Sequence, residues 1–125
     1  MANNRILVVD DDLISQNMLR TTLTGAGYAV FAASDGPEAI KLAKKELPAV
    51  IVLDIMLPGM DGGEVAESLK SDPKTRRIPV IFLSSLITES EEKAGRKREA
   101  ASFIAKPYNR EKLLNEVKKL VLKRG

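Results

Sequence analysis

Five short apolar runs divide the chain, at residues 6–9, 28–33, 49–53, 80–83 and 102–105, and a longer amphipathic stretch follows each one. The runs are near-continuous and rich in β-branched residues, the pattern of strands buried on both faces. The stretches between them carry helical spacing. Leu13, Ile14, Met18, Leu19 and Leu23 form a first apolar stripe, closed by Gly25 and Gly27. Ile40, Ala43 and Leu47 form a second, behind Ser34-Asp35-Gly36-Pro37, which offers an N-cap and a proline near the first turn. Asp61 with Glu64 reads as a capping pair opening a third helix, and Thr88 with Glu91 as one opening a fourth. A fifth starts near Asn109 and turns Leu113, Leu114, Val117, Leu120 and Val121 inward. Such β-α repeats predict an α/β fold: a doubly wound, five-stranded parallel sheet in the order 2-1-3-4-5, with right-handed crossovers and five flanking helices.

A chain of 125 residues, read as one domain over 1–125, buries roughly two-thirds of its accessible surface on folding. It has no cysteine, which excludes disulfides and thiolate metal sites. It has no histidine, so it can neither carry a phosphohistidine nor use imidazole as a base. The N-terminal residues lead into an apolar run too short for a signal peptide or a bilayer span, so a cytoplasmic location without membrane contact is expected. Net charge is only +3. The one basic run, Lys93 to Arg98, lacks a surrounding nucleic-acid motif and reads as a solvated helix face, so no direct nucleic-acid binding is expected. The fourth helical pattern, between Thr88 and Glu99, has only Ala94 to bury in its body. It also contains Gly95, at a cost of about 1 kcal/mol relative to alanine. It is expected to be the least firmly held element.

In open parallel sheets ligands gather outside the carboxyl ends of the strands. Just past the first run stand Asp10, Asp11 and Asp12; past the third, Asp54; past the fourth, Ser84 and Ser85; past the fifth, Lys106. Taken alone, Asp12 is the N-cap of the first helix, and any of the others could be a turn residue. Their coincidence at strand ends that lie side by side marks a functional site. Clustered carboxylates repel one another unless a cation joins them, and a hard ion such as Mg²⁺ (or Mn²⁺) takes carboxylates, waters and a phosphate oxygen. Lys106 offers a point charge that can pair with Asp54 at rest and with a phosphoryl oxygen after transfer. Asp54, alone at its strand end, is the candidate nucleophile, with positioning and electrostatics supplying most of the catalysis.

Four segments resemble, in order and spacing, the motifs of the receiver domain of two-component response regulators. They are Ile6-Leu7-Val8-Val9-Asp10-Asp11-Asp12, the stretch from Ile51-Val52-Leu53-Asp54 through Met56-Leu57-Pro58-Gly59 to Asp61-Gly62, Pro79-Val80-Ile81-Phe82-Leu83-Ser84, and Phe103-Ile104-Ala105-Lys106-Pro107. The resemblance implies a flavodoxin-like fold of the chemotaxis-regulator kind and a phosphoacceptor rather than an enzyme. Asp54 would be phosphorylated. Asp11, Asp54 and the Met56 carbonyl would contact Mg²⁺, and Asp10 would hold a metal-bound water. Ser84 would be the switch hydroxyl, Phe103 the switch aromatic and Lys106 the phosphate-binding lysine. It implies a cis Lys106–Pro107 peptide, which proline permits. The phosphoryl donor would be a histidine kinase or histidine phosphotransfer protein. The output would be an unknown protein, or a homodimer, through the face of the fourth helix, fifth strand and fifth helix.

Some positions depart from the commonest family pattern. Ser84 stands for threonine, Ser85 for alanine, Gly63 for a larger apolar residue that would firm the third helix, and Glu99 for glycine. Phe103 rather than tyrosine makes its switch steric. None removes a group the chemistry needs. Met56 and Leu86 flank the site with apolar bulk, and slow self-dephosphorylation is expected. Two rival functions are weaker. Asp10-Asp11-Asp12 contains the Asp-x-Asp spacing of haloacid-dehalogenase-like phosphatases, but Leu13-Ile14 replaces their small polar turn and no acidic pair follows Lys106. A pseudo-receiver binding module usually lacks an acid, the hydroxyl or the lysine, and all are present.

Overall fold

The computed structural model describes residues 3–84 and 102–124. Each apolar run becomes a strand: β1 (Arg5–Val9), β2 (Ala29–Ala33), β3 (Val50–Asp54), β4 (Val80–Ser84) and β5 (Ser102–Ala105). All pair in parallel in the order β2-β1-β3-β4-β5, as the alternation of strand and helix predicts. Among the described residues there are four helices: α1 (Leu13–Gly25), α2 (Gly36–Glu46), α3 (Gly62–Ser71) and α4 (Arg110–Arg124). The helical pattern between Thr88 and Glu99, with Ser85, Leu86 and the basic run from Lys93 to Arg98, lies outside the described residues.

The pleat divides the core in two. Leu7, Val9, Ile51, Leu53 and Phe82 pack on one side of the sheet against Ala39 and Ala43 of α2 and Val65 and Leu69 of α3. Ile6, Val8, Val50, Val52, Ile81 and Leu83 pack on the other against Leu19 and Leu23 of α1 and Leu113 and Val117 of α4. The central strands β1 and β3 are therefore sealed from water on both faces, whereas β2 at the edge is only partly covered.

Helix ends follow the sequence signals. Asp12, Asp35 and Asp61 each accept a backbone N–H of the helix they open. Asp61 and Glu64 form the reciprocal capping box, each side chain taking the other's N–H. Two stripes differ from expectation. On α1 the buried residues are Gln16, Leu19 and Leu23, and Leu13, Ile14 and Met18 are 64%, 72% and 58% exposed. At 3.6 residues per turn, positions 16, 19 and 23 share one face, and the helix is phased so that this narrow face meets the sheet. On α2, Leu47 lies past the last helical residue in a left-handed cap (φ 47°), 43% exposed, and Ala39 with Ala43 fills the interface instead.

The start of α3 sits hard against β3. Gly62 N–H donates to the Ile55 carbonyl at 2.8 Å. A Cβ on Gly62 would fall 2.7 Å from both the Asp54 carbonyl oxygen and Ile55 Cα, so only glycine fits there without displacement.

Candidate functional site

The sheet delivers three polar side chains to its carboxyl edge and almost buries two of them. Asp10, directly after β1, is 1% exposed, and Asp54, the last residue of β3, is 8% exposed. Buried carboxylates need partners. Lys106, just beyond β5, reaches back across the edge and donates to Asp10 Oδ2 at 3.0 Å and Asp54 Oδ2 at 3.1 Å. The remaining oxygens are held by backbone: Asp10 Oδ1 accepts Asp12 N–H at 3.0 Å, and Asp54 Oδ1 accepts Met56 N–H at 3.0 Å. The Lys106–Pro107 peptide is cis, as the resemblance implied.

The electrostatics are unbalanced. Burial pushes the Asp54 carboxyl above its ordinary range, and the Met56 N–H and the Lys106 ammonium only partly pull it back. Burial acts to lower the Lys106 value, but the bonds to Asp10 and Asp54 outweigh it and hold the ammonium above the ordinary lysine range. Asp11 is exposed, and it brings a third carboxylate. One oxygen each from Asp10, Asp11 and Asp54 lie within 4.8 Å of one another. Three carboxylates thus face one ammonium. This donor set is all hard oxygen, with no imidazole or thiolate in the chain, so it fits Mg²⁺ or Mn²⁺ rather than Zn²⁺.

The other residues read as functional fall around this cluster. Ser84 closes β4 opposite Ala105 of β5, which sets its backbone at the same edge. Met56 follows Asp54 in the β3–α3 connection, with its side chain 57% exposed. Phe103 is half-buried and stacks on Phe82, with ring centroids 5.0 Å apart and planes at 28°. Asp12 caps α1, accepting Ile14 N–H at 3.2 Å and the Ser15 hydroxyl at 3.1 Å, and does not join the cluster. Of the residues marked in the sequence, Asp10, Asp11, Asp54 and Lys106 come together.

The roles of two contributors escaped the sequence reading. Gln16 is 6% exposed and donates to backbone at the ends of both β1 and β2. Its signal was a polar residue in phase with Leu19 and Leu23. Gly62 permits the close approach of α3 to Asp54; the motif resemblance includes Gly62 and sets Gly63 apart, but it does not say that the reason is contact with the β3 backbone. A groove of about 600 Å³ opens beside the cluster between α1 and the β5–α4 turn, lined by Met18, Leu19, Lys106, Pro107 and Tyr108 among others.

Comparison with known proteins agrees with this geometry. Residues 6–118 match the profile of the response regulator receiver domain. The chain is 41% identical over 116 residues to the response regulator PleD of Caulobacter vibrioides, covering 93% of this chain and 26% of PleD. It spans half or less of several further curated relatives. Protein PilH of Pseudomonas aeruginosa is 33% identical over 113 residues, which covers 90% of this chain and 93% of PilH. Among solved structures, the receiver domain of sensor histidine kinase PA1611 from Pseudomonas aeruginosa superposes with a TM-score of 0.83. It is 25% identical, with 96% of this chain and 98% of that one covered, and that protein has a magnesium ion coordinated in its active site cleft.

Proposed function

We propose that this chain, which belongs to the response regulator receiver domain family, accepts a phosphoryl group on Asp54 from a phosphohistidine of a partner protein and switches a binding surface in response. The observation that carries the reading is the Lys106 ammonium bonded to both Asp10 and Asp54, with Asp11 completing a group of carboxylates. Asp10, Asp11 and Asp54, with the Met56 carbonyl, would hold Mg²⁺. When bound, the ion supplies positive charge to the phosphoryl oxygens and relieves the repulsion among the carboxylates.

The chain's own residues do the rest. Met56 N–H fixes Asp54 Oδ1 and orients the carboxylate. An Asp54 oxygen attacks phosphorus in line, the bond from phosphorus to the imidazole nitrogen breaks, and its electron pair stays on the departing ring. Lys106 passes from the Asp54 carboxylate to an oxygen of the transferred group, so the negative charge it neutralises moves with the reaction. The Ser84 hydroxyl donates to another phosphoryl oxygen. Phe103, steric and without a hydroxyl, turns with it and alters the face formed by β5, α4 and the helical pattern between Thr88 and Glu99.

The donor would be a histidine kinase or histidine phosphotransfer protein, because this chain has no histidine of its own. Its phosphohistidine would reach Asp54 at the carboxyl edge of the sheet, where α1 begins, and the exposed Leu13, Ile14 and Met18 of that helix offer apolar contacts to the donor. Output would run through an unidentified protein or a second copy. The domain acts as a phosphoacceptor rather than a turnover enzyme, in the cytoplasm. Among the described residues no helix is long and apolar enough to cross a membrane.

The test is incubation with Mg²⁺ and a small acyl phosphate, followed by intact mass and peptide mapping. One phosphoryl group on Asp54, absent without metal and absent in Asp54→Asn, is expected. No adduct, where a control receiver is labelled, would leave a phosphorylation-independent binding module. Turnover of phosphate esters with Asp54 unlabelled would point to a phosphatase.

A further inference from the structure

Gln16 is an amide buried on the sheet-facing side of α1, where its neighbours in phase are leucines. Its Nε2 lies 3.1 Å from the Asp10 carbonyl, 3.1 Å from the Ala33 carbonyl and 3.3 Å from the Ser34 hydroxyl. Two N–H donors thus serve the carboxyl ends of two adjacent strands. The β1–β2 ladder makes one more backbone bond here, from Asp10 N–H to the Ala33 carbonyl at 3.1 Å. Beyond Ala33 the chain turns through Ser34 and Asp35 into α2, so the strand that would have bonded the Asp10 carbonyl leaves. A side chain takes its place.

That carbonyl belongs to the peptide joining Asp10 to Asp11. The peptide is planar, so fixing the direction of its C=O also fixes the N–Cα bond of Asp11, and with the next peptide held by Asp12 N–H on Asp10 Oδ1 the Asp11 Cα–Cβ bond between the two anchored peptides has little freedom to turn. Asp10 has other anchors, through Asp12 N–H and Lys106. Asp11 is exposed, and its aim rests on the backbone that carries it. We infer that Gln16 is a positioning residue for the metal site: it clamps the Asp10–Asp11 peptide to the end of β2 and so aims the Asp11 carboxylate into the cluster with Asp10 and Asp54. The inference rests on the proposal that these carboxylates hold a divalent cation. It touches no reacting group.

The experiment measures Mn²⁺ affinity of the unphosphorylated protein by water-proton relaxation, with Mg²⁺ competition, at a temperature where circular dichroism shows every variant folded. Gln16→Met keeps length and bulk but loses both donors. Loss of a residue bonded directly to a metal ligand lowers metal affinity about 10–100-fold; Gln16 acts through the backbone of the ligands, so the low end, about tenfold weaker binding, is expected for Gln16→Met. Leu23→Ala, on the same face of α1 but remote from Asp10, controls for destabilisation alone and should keep the wild-type dissociation constant. If wild type binds Mn²⁺ and Gln16→Met binds it equally well, the inference fails while the metal reading stands. If wild type does not bind, the metal reading fails and takes the inference with it. Should Gln16→Met not fold, hydrogen exchange in wild type decides the matter. Slow exchange of the Gln16 side-chain amide protons, with through-bond coupling to the Asp10 carbonyl, supports the clamp. Exchange as fast as in free glutamine overturns it.

Discussion

Gly62 and Gly63 are neighbours in the first turn of α3, yet the same methyl group should act on them in opposite directions. At Gly62 it would fall 2.7 Å from the Asp54 carbonyl oxygen, 2.7 Å from Ile55 Cα and 3.3 Å from the Asp54 carbonyl carbon, all backbone atoms that cannot rotate away. Ordinary carbon contacts begin at about 3.5 Å, so the end of α3 must retreat from β3 by about 0.8 Å. That movement strains or breaks the 2.8 Å bond from Gly62 N–H to the Ile55 carbonyl. Overpacking costs about 1–3 kcal/mol and a lost hydrogen bond about 1 kcal/mol, so Gly62→Ala should lose about 2–4 kcal/mol. At Gly63 the nearest atom is Asp61 Oδ1 at 3.2 Å, the end of a side chain, which needs to yield only a few tenths of an ångström.

Gly63→Ala therefore gains from the reduced entropy of the unfolded chain, about 0.4–1 kcal/mol, offset by any disturbance of the bond from Asp61 to Glu64 N–H. It should range from neutral to slightly more stable. Urea denaturation followed by circular dichroism measures both. The displaced backbone also carries the phosphoacceptor, and misplacement by about 1 Å can cost about 100-fold in rate. Folded Gly62→Ala should therefore label with acyl phosphate at least about tenfold more slowly than wild type, and Gly63→Ala at the wild-type rate. Equal stability of the two variants, or a destabilised Gly62→Ala that labels normally, would refute the argument that α3 and β3 are in contact only because residue 62 has no side chain.

Three further outcomes are expected. Burial raises the Asp54 carboxyl, and a raised acid stabilises the fold only below its unfolded value, losing that contribution as pH rises through the folded one; metal-free Asp54→Asn should therefore melt above wild type at neutral pH, an advantage that vanishes near pH 3 and shrinks when Mg²⁺ is added. The Ser102 hydroxyl donates to Glu116 Oε2 at 2.6 Å and ties β5 to α4; Ser102→Ala should cost about 1 kcal/mol in urea with an unchanged m-value, and no shift in midpoint would mean that water replaces the bond without loss. Met56, beside Asp54 and 57% exposed, is expected to hinder an attacking water, so replacing it with serine should shorten the phosphoryl lifetime about threefold or more, equal to about 0.7 kcal/mol of barrier; an unchanged decay measured by loss of phosphoprotein mass would remove Met56 from that role.

The strands and the chemical groups were legible because each is specified locally. Near-continuous β-branched runs have few alternatives to a buried parallel strand, and strand ends in such a sheet lie at one edge by topology. Asp10, Asp54 and Lys106 could therefore be brought together from order alone, and the bonds from Lys106 to both acids follow. The capping acids were legible for the same reason: Asp35 and Asp61 stand directly before the helices they open. Helix phase was not. The first helix offers more apolar residues than the sheet has room for, and a count of hydrophobic positions cannot say which of Leu13, Ile14, Met18, Leu19 and Leu23 turn inward.

The reason lies at the site end of the sheet. A strand that ends at an active edge leaves backbone carbonyls without a ladder partner, and buried carbonyls must be satisfied. The helix covering that edge therefore has to present a donor at the place where a leucine would otherwise pack, and the donor fixes its rotation. With Gln16 set against the Asp10 and Ala33 carbonyls, Leu19 and Leu23 follow one and two turns later on the same face. Ile14 and Met18, one turn apart, are carried to the outside. The exposed apolar residues of α1 and its buried amide are thus two consequences of one constraint: burying Ile14 or Met18 by rotating the helix would withdraw the donor from the Asp10–Asp11 peptide.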